Sequence, residues 1–191
     1  MYSQRLKNKK NYSGWIEIIC GSMFSGKTEE LIRRVKRVKL AKQKIKIFKP
    51  KEDVRFKKKK IVSHNENHLK SEVIERPSEI LKFSKNAQVI AIDEAQFFGK
   101  EIIEVCNKLA NDGKRVIVAG LDMDYKGRPF GPMPNLMAIA EYVTKLHAIC
   151  TKTGKMANYT SRKVDDKTLI MVGDKDKYEA LSREAFYNKK S

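Results

Sequence analysis

The sequence predicts an α/β protein in which a helix-covered parallel sheet is followed by a small module of different character. Three observations carry that expectation. Short β-rich or apolar runs at Trp15–Cys20, Val89–Ile92 and Arg115–Gly120 alternate with stretches of helical spacing at Lys27–Leu40 and Glu101–Asn111, the order in which strands and crossover helices build a parallel sheet. The Val89–Ile92 run is apolar throughout, as expected of a central strand buried on both faces. From about Thr144 the chain holds only short strand-like pieces between turn residues, with no long amphipathic helix.

Each element has its own warrant. Residues 1–12 are polar and basic without periodicity and read as a frayed tail. Trp15–Cys20 (WIEIIC) stops abruptly at Gly21. Past Gly26, Leu31, Val35 and Val38 fall on one stripe of a helix over Lys27–Leu40, with basic residues elsewhere. Lys44–Phe48 (KIKIF) alternates like a strand, and Pro50 is expected to end it. Lys51–Ser78, polar and containing the lysine block 57–60, reads as a long excursion. The Glu101–Asn111 helix closes at Asp112-Gly113, and Arg115–Gly120 (RVIVAG) is a second buried strand. The expected organisation is a basic tail (1–12), an α/β domain (13–143) and a small domain (144–191).

Composition bounds the function. A chain of 191 residues, 41% hydrophobic and 34% charged, is the size of one globular domain with a small appendage. No run approaches the roughly 20 apolar residues of a membrane span, and Met1–Lys10 lacks the apolar stretch of a secretory signal. Cys20, Cys106 and Cys150 are too few and scattered for a disulfide framework, so a reduced, cytoplasmic setting is expected. The net charge of +18 invites a nucleic-acid reading. Lysine outnumbers arginine 31 to 10, however, and the basic residues spread from Lys7 to Lys190. That pattern favours a solvated basic surface that attracts anionic ligands over specific nucleic-acid binding.

The chemistry is concentrated at Gly21–Thr28, GSMFSGKT, a full match to G-x-x-x-x-G-K-[ST] placed between a strand and a helix. Glycines at 21 and 26 let backbone N–H groups curl around phosphates, while Lys27 reaches the terminal phosphates. Thr28 offers its hydroxyl to Mg²⁺, and the helix N-terminus favours negative charge. Asp93 and Glu94 directly follow the buried strand Val89–Ile92, where such folds place a second Mg²⁺ contact. The expected ligand is therefore ATP with Mg²⁺, with Thr28 and Asp93 on the metal. Glu94 is the candidate base, acting either on an acceptor hydroxyl or on water. The second option would make a nucleic-acid-stimulated ATPase, a reading that DEAQ and the basic surface keep open. Helicase motors of that kind, however, use two such domains.

Longer blocks are more specific. GSMFSGKTEELIRRVKR, KPKEDVRF, SHN, AIDEAQFF, GLDMDYKGRPFGPMPNLMAIAE and VTKLHAIC resemble, in order and spacing, successive blocks of the cytosolic-type (type II) thymidine kinase family from about Gly14 to Tyr178. The resemblance implies a RecA-like domain with a small zinc-ribbon-like C-terminal lasso domain. It implies an ATP site over Gly21, Ser22, Met23, Phe24, Ser25, Gly26, Lys27 and Thr28, with Asp53, Arg55, Asp93, Glu94, Ala95 and Gln96. Glu94 falls at the position of the family's catalytic base. Met23, Phe97, Leu121, Tyr125 and Phe130 match the nucleoside-lining positions, although Leu121 and Phe130 could equally be core. The lasso falls on Thr160 and on Leu169, Ile170, Met171, Val172 and Gly173, with Tyr178 beyond it. The implied reaction moves the ATP γ-phosphate to the 5′-hydroxyl of thymidine, and of deoxyuridine, giving the monophosphate and ADP for nucleotide salvage. A homotetramer inhibited by thymidine triphosphate is likewise implied.

One departure stands out. Most family members hold the lasso base with zinc on two ligand pairs. Here the first pair reads Cys150 and Thr153, and the second falls on Ser182 and Ala185. One cysteine cannot make a closed four-ligand site, and His147 is a lone histidine on a short strand. The expectation is a small domain without structural zinc, held by packing of Leu181, Phe186 and Tyr187 or by subunit contacts. Asp174 stands where the family usually has a second glycine.

Overall fold

The computed structural model describes residues 14–51, 60–62, 68–163 and 176–189. In chain order its first eight strands are β1 (Trp15–Gly21), β2 (Ile45–Pro50), β3 (Lys60–Val62), β4 (His68–Lys70), β5 (Glu72–Ile74), β6 (Val89–Ile92), β7 (Arg115–Gly120) and β8 (Tyr142–Leu146). Six of them form one sheet in the order β5-β2-β6-β7-β1-β8, parallel at every pairing. β3 and β4 pair antiparallel with each other.

Strand alternation sends side chains to two cores. Ile16, Ile18 and Cys20 of β1 join Ile90 and Ile92 of β6 and Val116 and Val118 of β7 on one face. Helices α2 (Ser78–Phe83), α3 (Glu101–Asn111) and α4 (Met133–Ile139) cover that face through Ile80, Ile102, Val105, Leu109 and Leu136. Ile19, Val89, Ala91, Ile117 and Ala119 face the other way, under Leu31, Ile32, Val35 and Val38 of α1 (Lys27–Leu40). Glu17 interrupts the apolar pattern of β1. Burial would raise its carboxyl pKa, but hydrogen bonds from Arg115, Trp15 and Arg34 hold it below the ordinary carboxylate range. Its charge is therefore kept and paired inside the fold.

A smaller cluster follows. β9 (Ala148–Ile149) pairs antiparallel with β10 (Met156–Ala157), and β11 (Tyr159–Arg162) with β12 (Tyr178–Leu181), before the short helix α5 (Arg183–Asn188). Its core is Ala148, Cys150, Ala157, Tyr159, Ala180, Leu181 and Phe186. The Tyr159 and Phe186 rings stack 4.5 Å apart, with Tyr187 edge-on to both.

Two expectations need correction and one holds. The boundary at 143/144 falls inside β8, whose pairing with β1 from Glu17 to Gly21 makes it part of the large sheet through Leu146. Pro50 does end β2, as its last residue; a proline is tolerated there because it needs only to accept at the strand end. Within Lys51–Ser78, β5 is an edge strand of the main sheet, paired with Phe48–Pro50. Of the lysine block, residues 57–59 lie outside the described residues.

Candidate active site

β1 delivers the chain to the C-terminal edge of the sheet, where open α/β sheets bind ligands. Gly21 has φ 140°, and a Cβ there would lie 2.2 Å from the Leu146 carbonyl oxygen, so no side chain fits. Phe24 (φ 64°) and Gly26 (φ 85°) take the left-handed conformation and turn the backbone into α1, a geometry that aims N–H groups at an anion. Lys27 Nζ donates to the Ser22 carbonyl at 2.7 Å, and Ser25 Oγ to the same oxygen at 2.8 Å. Thr28 is half-buried in the first turn of α1.

The second part of the site begins where β6 ends. The Asp93 N–H donates to the Phe48 carbonyl at 3.0 Å, fixing it against β2. Its Oδ1 accepts from the Glu94 N–H at 3.0 Å. Glu94 itself is left-handed (φ 52°, ψ 39°) and opens a 3₁₀ turn over Ala95–Phe97, a conformation costing a non-glycine residue about 1–2 kcal/mol. The surroundings enforce it. Gln96, 3% exposed, donates from Nε2 to Glu94 Oε2 at 2.5 Å and accepts the Leu121 N–H on Oε1 at 2.9 Å. A Cβ at Gly120 would reach 2.8 Å from that Oε1, and one at Gly131 2.4 Å from the Gln96 carbonyl. Both glycines make room for the glutamine. Ala95 is wholly buried in the turn, and Phe97 meets Phe130 edge-to-face at 5.9 Å.

The small module reaches the loop from above. The Met23 N–H donates to Thr160 Oγ1 on β11 at 2.9 Å, and Ser22 Oγ to the Ala157 carbonyl at 3.4 Å. The Arg162 guanidinium lies 3.8 Å above the Tyr125 ring and donates to the Tyr178 hydroxyl at 3.1 Å. The residues singled out in the sequence thus form two groups. Glu94, Gln96, Phe97, Leu121 and Phe130 are joined along the sheet edge; Met23, Tyr125, Thr160 and Tyr178 are joined across to the small module. Leu121 and Phe130 are each 9% exposed. Asp53, Arg55, Leu169, Ile170, Met171, Val172 and Gly173, with Asp174, lie outside the described residues.

The family model described as thymidine kinase matches residues 14–186. The chain belongs to the thymidine kinase family. It is 54% identical over 173 residues to a thymidine kinase of Rhodothermus sp. (strain ITI 518), covering 91% of this chain and 81% of the relative. The identity is also 54% with a Bacteroides fragilis thymidine kinase (91% and 87% covered) and 48% with one from Porphyromonas gingivalis (91% and 85%). Membership makes the protein a kinase that uses ATP. No helix among the described residues is long and apolar enough to cross a membrane.

The thymidine kinase zinc positions can be tested on chemistry. Cys150 is buried and supplies a single sulfur. Opposite it, Thr153 Oγ1 lies 3.4 Å from Ser182 Oγ, which accepts from the Ala185 N–H and caps α5. Burial would raise the Cys150 thiol, but hydrogen bonds from the Thr153 hydroxyl and the N–H groups of Ser182, Lys152 and Thr153 bring it down to about 6. His147 Nδ1 pairs with Asn158 Oδ1. One thiolate, two hydroxyls and an alanine do not fit a tetrahedral zinc site. Among the described residues no three histidine, cysteine or acidic side chains converge to hold a metal.

Sequence reasoning missed Arg162, whose stacking on Tyr125 joins segments 37 residues apart by number. It also missed the ion pair of buried Asp122 with exposed Lys145. Neither belongs to a local motif. A signal existed only in the aromatic and acidic residues around them, which read equally well as core or surface.

Proposed function

We infer that this protein transfers the ATP γ-phosphate to the 5′-hydroxyl of thymidine, giving thymidine monophosphate and ADP. What carries the reading is Glu94: a carboxylate in a strained backbone conformation, held by Gln96, at the same C-terminal sheet edge as the phosphate loop, in a chain of the thymidine kinase family. The loop backbone and Lys27 hold the phosphates and offset charge on the transferring group. Glu94 accepts the hydroxyl proton as the new O–P bond forms, and Gln96 keeps its carboxylate turned to the acceptor. Magnesium bound with ATP would neutralise β- and γ-phosphate oxygens; the Thr28 hydroxyl and Asp93 carboxylate are the oxygen donors suited to hold it.

Met23, Phe97, Leu121, Tyr125, Phe130, Thr160 and Tyr178, with the 169–173 segment, are the nucleoside side of this reading; Asp53 and Arg55 belong to the phosphate side. Deoxyuridine as a second acceptor, inhibition by thymidine triphosphate, a homotetramer and a cytoplasmic setting are parts of it supported by family likeness. The lack of structural zinc is a further part, supported by the side chains of Thr153, Ser182 and Ala185, which leave Cys150 without suitable co-ligands.

Product analysis with purified protein, Mg-ATP, a panel of nucleosides and parallel additions of single-stranded DNA and RNA tests it. Thymidine monophosphate is expected to appear in step with ADP. ADP released only with nucleic acid, every nucleoside remaining intact, would replace the kinase with a nucleic-acid-dependent ATPase.

A further inference from the structure

Asp122 is buried two residues beyond the end of β7, its side chain only 5% exposed. No backbone N–H or hydroxyl among the described residues donates to either of its carboxylate oxygens. Its partner is Lys145 of β8, with Nζ 2.8 Å from Oδ2. Neither strand neighbours the other: β1 lies between them, with Cys20 in register with Gly120 on one side and Lys145 on the other. The ion pair therefore spans the end of β1 at the point where Gly21 begins the phosphate loop. The Cys20 thiol reports the same neighbourhood. It is pushed up to about 11, first by burial and then by the Asp122 charge, against the opposing charges of Lys145 and Lys27.

A buried carboxylate at the root of a phosphate-binding loop works against the loop's purpose, because it repels the ligand through a low-dielectric medium. We propose that Lys145 is a positioning residue for ATP that acts through Asp122: it cancels the buried negative charge beneath the phosphate loop and braces β7 to β8 across the loop's root. The pair has no part in proton transfer. This rests on the reading of Gly21–Thr28 as the ATP site.

The test is equilibrium binding of ATP and of thymidine, measured separately by calorimetry on wild-type, Lys145→Met, Lys145→Arg and the double variant Asp122→Asn/Lys145→Met, with thermal melting of each. Lys145→Met is expected to weaken ATP on the order of tenfold, as one uncompensated charge near the phosphates should, with thymidine affinity unchanged. Lys145→Arg should retain ATP affinity, and the double variant should recover to within about threefold of wild type, since the offending charge is gone. Should Lys145→Met fail to melt cooperatively, the double variant still decides. A double variant as weak for ATP as the single, or thymidine affinity lost in parallel, overturns the proposal. Wild-type protein that binds no ATP would instead overturn the ATP-site reading beneath it.

Discussion

The phosphate-loop edge of the sheet and the small module above it are held by different physics. Under the loop, two apolar layers sandwich β1, β6 and β7 so completely that Ile18, Ile19, Ile90, Ile92 and Val118 have no exposed surface. The loop inherits that rigidity through its two ends, Gly21 against Leu146 and Gly26 against α1. Among its described residues the small module has four short strands, one aromatic stack and the Thr153–Ser182 hydroxyl pair. Among the described residues its ties to the rest combine hydrogen bonds from Met23 to Thr160 and from Ser22 to Ala157, Arg162 over Tyr125, and Phe24 and Met123 packed against its core. On the proposed function, the difference separates two tasks. Phosphate chemistry needs fixed dipoles, whereas a cover that admits and releases a nucleoside must come from the less stable part of the fold.

That contrast can be broken most severely at Phe186. Its ring stacks on Tyr159 and lies 3.0 Å from where a Cβ on Gly127 would be, so it packs both the module and the loop beneath. Phe186→Ala should cost about 3–5 kcal/mol within the module. Thymidine affinity should collapse while ATP affinity is largely kept, by separate binding measurements. A smaller effect is expected at Gln96. Gln96→Leu removes the grip on Glu94 but leaves the sheet intact; turnover should fall by up to about 10²-fold, the scale of a misplaced catalytic group, with little change in the KM for ATP. The smallest effect is expected from a zinc chelator. The melting temperature of the purified protein should not move and no zinc should be released, because the hydroxyl pair and the aromatic stack hold the module.

The two regions were also unequally legible in the sequence. Val89–Ile92, Arg115–Gly120 and the α1 and α3 spans could be bounded to the residue because burial on both faces leaves a short apolar run between polar or turn residues, and burial of one stripe leaves a helical period. α2 and α4 left no such mark: Ser78–Phe83 is too short to show a period, and Met133–Ile139 carries Pro134 in its first turn. β8 was cut in two because its edge position leaves Tyr142 and Val143 exposed, so it lacks the unbroken apolar run of a central strand. In the site, the phosphate loop was readable because its chemistry dictates both residue type and spacing. Gln96 was legible as a member of the site but not as the link between Glu94 and Leu121, since one partner lies 25 residues away. The Tyr125–Arg162–Tyr178 arrangement was hidden for the same reason.

The most direct test of the central claim, that Glu94 takes the proton from the thymidine hydroxyl, is single-turnover formation of thymidine monophosphate by Glu94→Gln with saturating Mg-ATP and thymidine. The isosteric amide keeps the partner of Gln96 but cannot accept the proton. The rate should fall by about 10²–10⁴-fold while ATP and thymidine binding stay near wild type. A variant that turns over within a few-fold of wild type would contradict the assignment and return the base to another group.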